Sequence, residues 1–210
     1  QALPQGRPHG VLPVDREDEV GELARSFQDM EQQILRQMTE LNASRDAMAH
    51  LAHHDALTGL PNRRMFEQRL AQALELSRRS GRDCALLFVD LDDFKAINDG
   101  RGHAVGDLVL QAVARTIVGA VRQADTVARL AGDEFTVLCE NVDSEDAALQ
   151  IAAKLEQAFE SPLDIEGQPF PVRASIGVSL FPRDAQDAHT LLASADAAMY
   201  RIKQSRRRRV

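Results

Sequence analysis

Asp133 and Glu134 stand side by side behind Gly132, in the stretch Arg129-Leu130-Ala131-Gly132-Asp133-Glu134-Phe135. Thr126 to Leu130 before them and Phe135 to Leu138 after them mix β-branched and apolar residues, as strands do. The stretch therefore reads as a hairpin tip, with Gly132 where a tight reversal needs φ > 0. Such a tip holds two carboxylates at one sheet end, where they repel each other unless a cation or a proton lies between them. Magnesium, a hard cation served by oxygen ligands, is the natural partner, and an acidic solvated turn is the plain alternative. A second acidic set invites the same chemistry. Cys84 to Val89 is a continuous apolar run, as expected of a strand covered on both faces, and it leads into Asp90-Leu91-Asp92-Asp93-Phe94-Lys95. A carboxylate where a buried strand emerges is costly unless it meets a cation. If this strand lies beside the hairpin, Asp90 and Asp133 converge on an open-sided Mg²⁺ site of the kind that nucleoside-triphosphate enzymes use.

The next run, Lys95 to Asp107, carries Gly100, Gly102 and Gly106 among polar residues and precedes an apolar helix from Leu108 to about Val118. Asn offers a paired donor and acceptor and Asp accepts two hydrogen bonds, which suits the N1–H and amine edge of guanine. In the plainer reading the run is a glycine-rich loop with Asp107 as helix N-cap. Arg122-Gln123-Ala124-Asp125 is an arginine–carboxylate pair of little weight if exposed. His50, His53 and His54 crowd one joint without a nearby cysteine, which favours surface histidines over a metal site. Cys84 and Cys139, each inside an apolar run, read as buried free thiols of a reducing compartment.

These segments, in this order, resemble the GGDEF family, the bacterial diguanylate cyclases. Arg129 to Phe135 matches its signature with Ala131 at the first glycine, and Asp90 to Leu110 matches nearly residue by residue. Asp55-Ala56-Leu57-Thr58-Gly59-Leu60-Pro61-Asn62-Arg63-Arg64 resembles the family's lead-in segment, and Ala195-Asp196-Ala197-Ala198-Met199-Tyr200 its last helix. The resemblance implies that Asp90 and the backbone carbonyl of Leu91 ligate Mg²⁺, with Mn²⁺ as the alternative ion. Asp133 is then the remaining ligand and the proton acceptor, and Glu134 supports metal and substrate. It further implies that Lys95 stabilises charge on the transferring phosphates and that Asn98, His103 and Asp107 hold the guanine nucleotide. Lys203 and Arg207 would bind the triphosphate, although Arg206 and Arg208 stand at the family's glycine and asparagine. Arg122 and Asp125 resemble its inhibitory product site. Asp18 to Phe27 resembles the second helix of a HAMP linker, a module that follows a membrane helix in receptors.

These groups need elements to position them. Val20, Leu23, Phe27, Met30, Ile34, Leu41, Met48 and Leu51 follow alternating spacings of three and four, with Gln37 and Ser44 on two apolar positions. That is a heptad seam, which predicts a parallel dimeric coiled coil, with packing on the chain's own domain as the alternative. A second amphipathic helix is expected from Met65 to Ser77. Ser144 is expected to cap a helix whose face is Ala148, Ile151, Ala152, Leu155 and Phe159. Val172 to Ser179 alternates as a half-buried strand, and Leu192, Ala195, Met199 and Ile202 mark a final helix. The fold class is α/β in the broad sense (α+β), a mixed sheet packed by helices. It resembles the palm of polymerases and adenylyl cyclases, preceded by a coiled-coil helix. The division is a loop at 1–14, the HAMP-like second helix and signalling coiled coil at 15–54, and the catalytic domain at 55–210. With 210 residues, 44% of them hydrophobic, the chain can build one good core and a helical arm. A net charge of −7 argues against nucleic acid as a partner, and the basic run Arg206 to Arg209 reads as a solvated tail. No long apolar run or signal peptide is visible, so the chain reads as soluble and cytoplasmic, with a parent protein that could be anchored in the bacterial inner membrane.

The implied activity is Mg²⁺-dependent transfer that joins two GTP into cyclic di-GMP within a homodimer held by the coiled coil, with product feedback. The rival is a weak or inactive cyclase-like domain that binds GTP or cyclic di-GMP and signals through its dimer.

Overall fold

The computed structural model of the chain describes residues 18–207, without the side chains of 24, 42–51 and 207. The expected loop at 1–14, the side chains of Ser44, Met48 and Leu51 and the end of the basic run lie outside the described residues. The chain divides into two compact units, 1–50 and 51–210. The first is dominated by helix α1 (Glu19–His53), started by the Asp18 carboxylate, which accepts the Gly21 N–H at 3.2 Å, and by Glu19 and Glu22 in its first turn. Along it Val20, Leu23, Phe27, Met30, Ile34 and Leu41 are 48–71% exposed, so the seam stands out as an uncovered apolar stripe. No described helix is long and apolar enough to cross a membrane.

The second unit runs α2 (Arg63–Ser80), β1 (Asp83–Leu91), α3 (Phe94–Arg101), α4 (His103–Ala120), β2 (Thr126–Ala131) and β3 (Glu134–Val142). It continues with α5 (Glu145–Ala158), β4 (Leu163–Ile165), β5 (Gln168–Phe170), β6 (Ala174–Phe181) and α6 (Ala188–Arg207). Four strands form one sheet in the order β2-β3-β1-β6, antiparallel at every pairing, and β4 and β5 make a separate hairpin. The unbroken apolar run of β1 follows from its central place. Ala85, Leu87 and Val89 join Val109, Val113, Ile117 and Leu155 from α4 and α5 on one face. Cys84, Leu86 and Phe88 join Phe66, Leu70, Leu191 and Met199 from α2 and α6 on the other. Both cysteines are free and buried; burial pushes the Cys84 thiol up to about 12 and the Cys139 thiol higher still, so both are held as inert thiols.

Ser144 caps α5, accepting the Ala147 N–H at 3.2 Å. Two readings are corrected. The polar run after β1 is not a loop: Phe94, buried at its start, anchors α3, and α4 begins at His103, so Gly102 is the N-cap and Asp107 lies inside the helix. Strand β6, expected to be half-buried, is covered on both faces, with Ser175 and Ser179 fully buried. The reason is Gly177, where an added Cβ would meet the Ala195 carbonyl oxygen at 2.1 Å and the Met199 nitrogen at 2.2 Å, so α6 lies directly on the strand.

Candidate active site

The two acidic segments meet because β1 and β3 are neighbours. Their register sets Asp90 opposite Glu134, and the β2–β3 reversal turns through Gly132 at φ 49°, which carries Asp133 to the same sheet end. Ala131 pairs with Glu134 at the end of β2. Among the described residues the non-glycine positions of positive φ are Asp93, Asn141 and Glu166, so Ala131 takes a backbone conformation open to any residue and its methyl is exposed.

Lys203, near the end of α6, donates to Asp90 Oδ1 and lies 3.5 Å from the Leu91 carbonyl oxygen. Both side chains of the pair are largely buried, at 17% and 15% exposure. Burial pushes the Asp90 carboxyl above its ordinary range; Lys203 pulls it back, and Asp133 and Asp92 push it further up. Glu134 is likewise raised, first by burial and then by Asp196, Asp90 and Asp133, against the pull of Arg63, whose guanidinium stands 3.7 Å away. A cavity of about 340 Å³ opens here between Leu91, Asp93, Lys95, Asp133 and Lys203. The first residues of α3, Phe94 to Ala96, also line it, so the positive end of a helix faces a space bordered by two lysines. The donor set fits a divalent cation: a carboxylate and a carbonyl oxygen already converge on an ammonium, and hard oxygens are what Mg²⁺ takes. Among the described residues no three His, Cys, Asp or Glu side chains group as a metal cluster, so such an ion would complete its shell with backbone, water or phosphate oxygens.

Asn98, half-buried on α3, lies against Gly106 of α4 so closely that a Cβ there would stand 1.9 Å from its Oδ1. His103 and Asp107, four residues apart on α4, share an exposed face. The lead-in segment and the hairpin are bolted together. Asp55 Oδ1 accepts Thr58 N–H at 2.9 Å and Arg129 Nη1 at 2.9 Å, Arg129 Nε donates to the Gly132 carbonyl at 2.9 Å, and the Arg129 N–H donates to Pro61 O at 3.0 Å. Burial alone would raise the Asp55 carboxyl, but the bonds from Thr58 and Arg129 overcome it and hold the carboxyl below its ordinary value.

Thus Asp90, Leu91, Lys95, Asp133, Glu134 and Lys203 are brought to one sheet end, with Asn98, His103 and Asp107 on the adjoining helix pair. Arg122 and Asp125 are elsewhere, in the turn before β2; Asp125 Oδ2 accepts the Arg122 N–H at 2.8 Å and leaves Arg122 exposed. The six residues of β2 separate this turn from the hairpin tip, about 20 Å at ~3.3 Å per residue. Asp92 does not join Asp90: it accepts Ser175 Oγ at 2.8 Å and faces Arg206 at 3.6 Å. Arg206 also donates to the Ala174 carbonyl at 2.6 Å and to Glu156 at 2.9 Å, tying the end of α6 to β6 and α5. The side chain of Arg207 lies outside the described residues. Sequence reasoning missed Arg63, Gly106 and the bracing role of Arg206; only the departure at Arg206 was a signal.

Residues 52–209 match the family described as "Diguanylate cyclase, GGDEF domain". The chain is 46% identical over 165 residues, 79% of its length, to the bifunctional diguanylate cyclase/cyclic di-GMP phosphodiesterase MucR of Pseudomonas aeruginosa, covering 24% of that protein. It is 40% identical over 190 residues to diguanylate cyclase TpbB of the same organism, covering 90% of this chain and 44% of TpbB. It therefore spans less than half the length of either relative. A solved structure of the GGDEF domain alone of TpbB superimposes with a TM-score of 0.70 at 44% identity, over 73% of this chain and 90% of that one. A microbial GGDEF domain solved with cyclic di-GMP matches with a TM-score of 0.64 at 32% identity, over 75% of this chain and 94% of that one.

Proposed function

The chain belongs to the GGDEF family of diguanylate cyclases, and from that premise we propose that it condenses two GTP into cyclic di-GMP and two pyrophosphates. The observation that carries this reading is the register of β1 and β3, which sets Asp90 against Glu134 beside a lysine-bordered cavity at a helix N-terminus. In this reading Asp90, the Leu91 carbonyl and Asp133 hold Mg²⁺, or Mn²⁺ in its place. When bound, the ion neutralises phosphate charge and polarises the phosphorus centre under attack. Asn98 meets the guanine edge, with His103 and Asp107 at the rim. Lys95 and the N–H groups at the start of α3 hold the phosphates, and Lys203 and Arg207 reach them from α6.

Asp133, on the turn, accepts the proton of the 3′-hydroxyl as its oxygen attacks the α-phosphorus of the other nucleotide. One P–O bond forms, the bond to pyrophosphate breaks, and the same exchange in the reverse sense closes the ring. Each subunit carries one nucleotide, so two must face each other, and the exposed stripe of α1 suits a parallel coiled coil that raises their effective concentration. Arg122 and Asp125, about a strand's length from the chemistry, form a separate site where cyclic di-GMP feeds back. A HAMP-like input ahead of the coiled coil and a membrane-anchored parent complete the proposal.

Purified protein incubated with GTP and Mg²⁺ should yield cyclic di-GMP, with specific activity that rises with protein concentration as dimers form. Asp133→Asn should abolish turnover and keep the melting temperature. A confirmed dimer that binds GTP but makes no product would select the binding-module reading instead.

A further inference from the structure

We propose that the Lys203 ammonium and the divalent cation compete for one position, the oxygens of Asp90 and Leu91, so that metal enters together with nucleotide phosphates that take Lys203 in exchange. The proposal rests on the cyclase reading above for the ligand roles of Asp90 and Leu91. Lys203 Nζ already bonds the Asp90 carboxylate and stands 3.5 Å from the Leu91 carbonyl, the same two oxygens assigned to the ion. An ammonium and a divalent ion cannot share them: like charges at contact distance in a poorly screened site repel strongly.

Neither partner can be abandoned cheaply. At 17% and 15% exposure, Lys203 and Asp90 are both shielded from water, and a shielded charge without a counter-charge is heavily penalised. An ion arriving alone would settle on Asp90 and drive Lys203 from the carboxylate it bonds, leaving it only the carboxylates of Asp93, Asp99 and Asp133 along the same cavity, with no fixed bond to any of them. An ion arriving on a triphosphate brings its own remedy, because Lys203 borders the cavity beside Lys95 and the start of α3, where phosphates would lie. The exchange needs only side-chain rotation. Met199, one turn before Lys203, is buried in the core, and Arg206, one turn after it, is tied to the Ala174 carbonyl and to Glu156. The helix is thus pinned on both sides of a lysine whose four-carbon stem is free to swing. The consequence is ordered loading: without nucleotide the site resists bare metal, and with it metal and phosphate bind cooperatively.

Mn²⁺ binding to the whole chain, followed by the loss of the free-ion signal in electron paramagnetic resonance, tests this without turnover. Without nucleotide, Lys203→Met should bind Mn²⁺ at least about tenfold more tightly than the wild type, a modest return for removing a unit charge at contact distance. Lys203→Arg, which keeps the charge, should stay weak. Adding a non-hydrolysable GTP analogue, with the analogue's own Mn²⁺ binding measured without protein and subtracted, should tighten Mn²⁺ binding to the wild type about tenfold and to Lys203→Met less. Lys203→Gln is the second neutral variant if the Met protein melts early. Equal Mn²⁺ affinity in wild type and neutral variants overturns the exchange while leaving the metal site standing. Failure of every variant to bind Mn²⁺ even with nucleotide removes the metal site itself, and the proposal with it.

Discussion

Replacing Gly106 by alanine should damage nucleotide binding while sparing the fold. The added Cβ would stand 1.9 Å from Asn98 Oδ1, 3.0 Å from its Cγ and 3.3 Å from Phe94 Cζ. The first two belong to a side chain that can rotate, and the third is a tight contact that a few tenths of an ångström relieve. Asn98 must therefore leave its seat. Its eviction costs ~0.5–1.5 kcal/mol if it is forced off a rotamer minimum. Alanine in a helix interior returns up to ~1 kcal/mol relative to glycine. The two nearly cancel, so the melting temperature should move by no more than about 4 °C. The loss falls on the ligand instead: one or two hydrogen bonds to a guanine edge are worth ~1–2 kcal/mol, or roughly five- to thirtyfold in Kd. Calorimetric titration with a non-hydrolysable GTP analogue reads it directly. Asn98→Ala should lose a similar amount, and the double variant should lose no more than either single one, because both act through the same side chain. Wild-type affinity in Gly106→Ala, or losses that add in the double variant, would refute the assignment of Asn98 to the nucleotide.

Arg122→Ala should leave initial rates unchanged and abolish inhibition by added cyclic di-GMP; equal inhibition in the variant would dismiss the feedback site. Two of the perturbed carboxyls, Glu134 and Asp55, predict opposite pH behaviour in thermal melts. Glu134 is raised above its ordinary 4.5, chiefly by burial, so between that value and the raised one the folded state binds more protons than the unfolded chain and stability falls as pH rises. Glu134→Gln should therefore melt higher than wild type at pH 7, with the gain vanishing below about pH 4.5. Asp55 is held below 3.8 by Thr58 and Arg129, so its contribution is present above that value and lost as pH falls through the lowered one. Asp55→Asn should melt lower at pH 7, with the deficit closing in acid; a constant deficit would mean that the ion pair with Arg129 is not its source.

The strand that carries Asp90 and the hairpin that carries Asp133 were each legible from a signal of their own. An apolar run without alternation has to be a strand with both faces covered, and Gly132 between two apolar stretches has to be a reversal. Only the adjacency of β1 and β3 was beyond reach, since spacing along a chain says nothing about which strands share hydrogen bonds; the register Asp90 to Glu134 supplies it. Ala131 shows the opposite limit. It stands at the family's first glycine, yet the left-handed backbone falls on Gly132 and Ala131 is exposed in a conformation open to any residue.

Glycine misled the reading of the nucleotide segment because three glycines in a polar run look like a loop, whereas here they act differently. Gly102, at φ 84°, separates α3 from α4, and Gly106 sits in the first turn of α4 and makes room for Asn98. The same holds at Gly177, which turned an apparently half-buried strand into one pressed against a helix on its second face. Close approach is a property of two segments at once, so no periodicity within one of them reports it. Arg206 follows the same logic: within a basic tail it looks solvated, and only the carboxylates of Glu156 and Asp92 and the carbonyl of Ala174, drawn from three distant segments, make it a brace. The chemistry-bearing residues announced themselves by type, whereas the residues that aim them did so only by contact: Gly106 seats Asn98 and Arg206 ties the end of α6 just after Lys203, where the proposed roles of both need them.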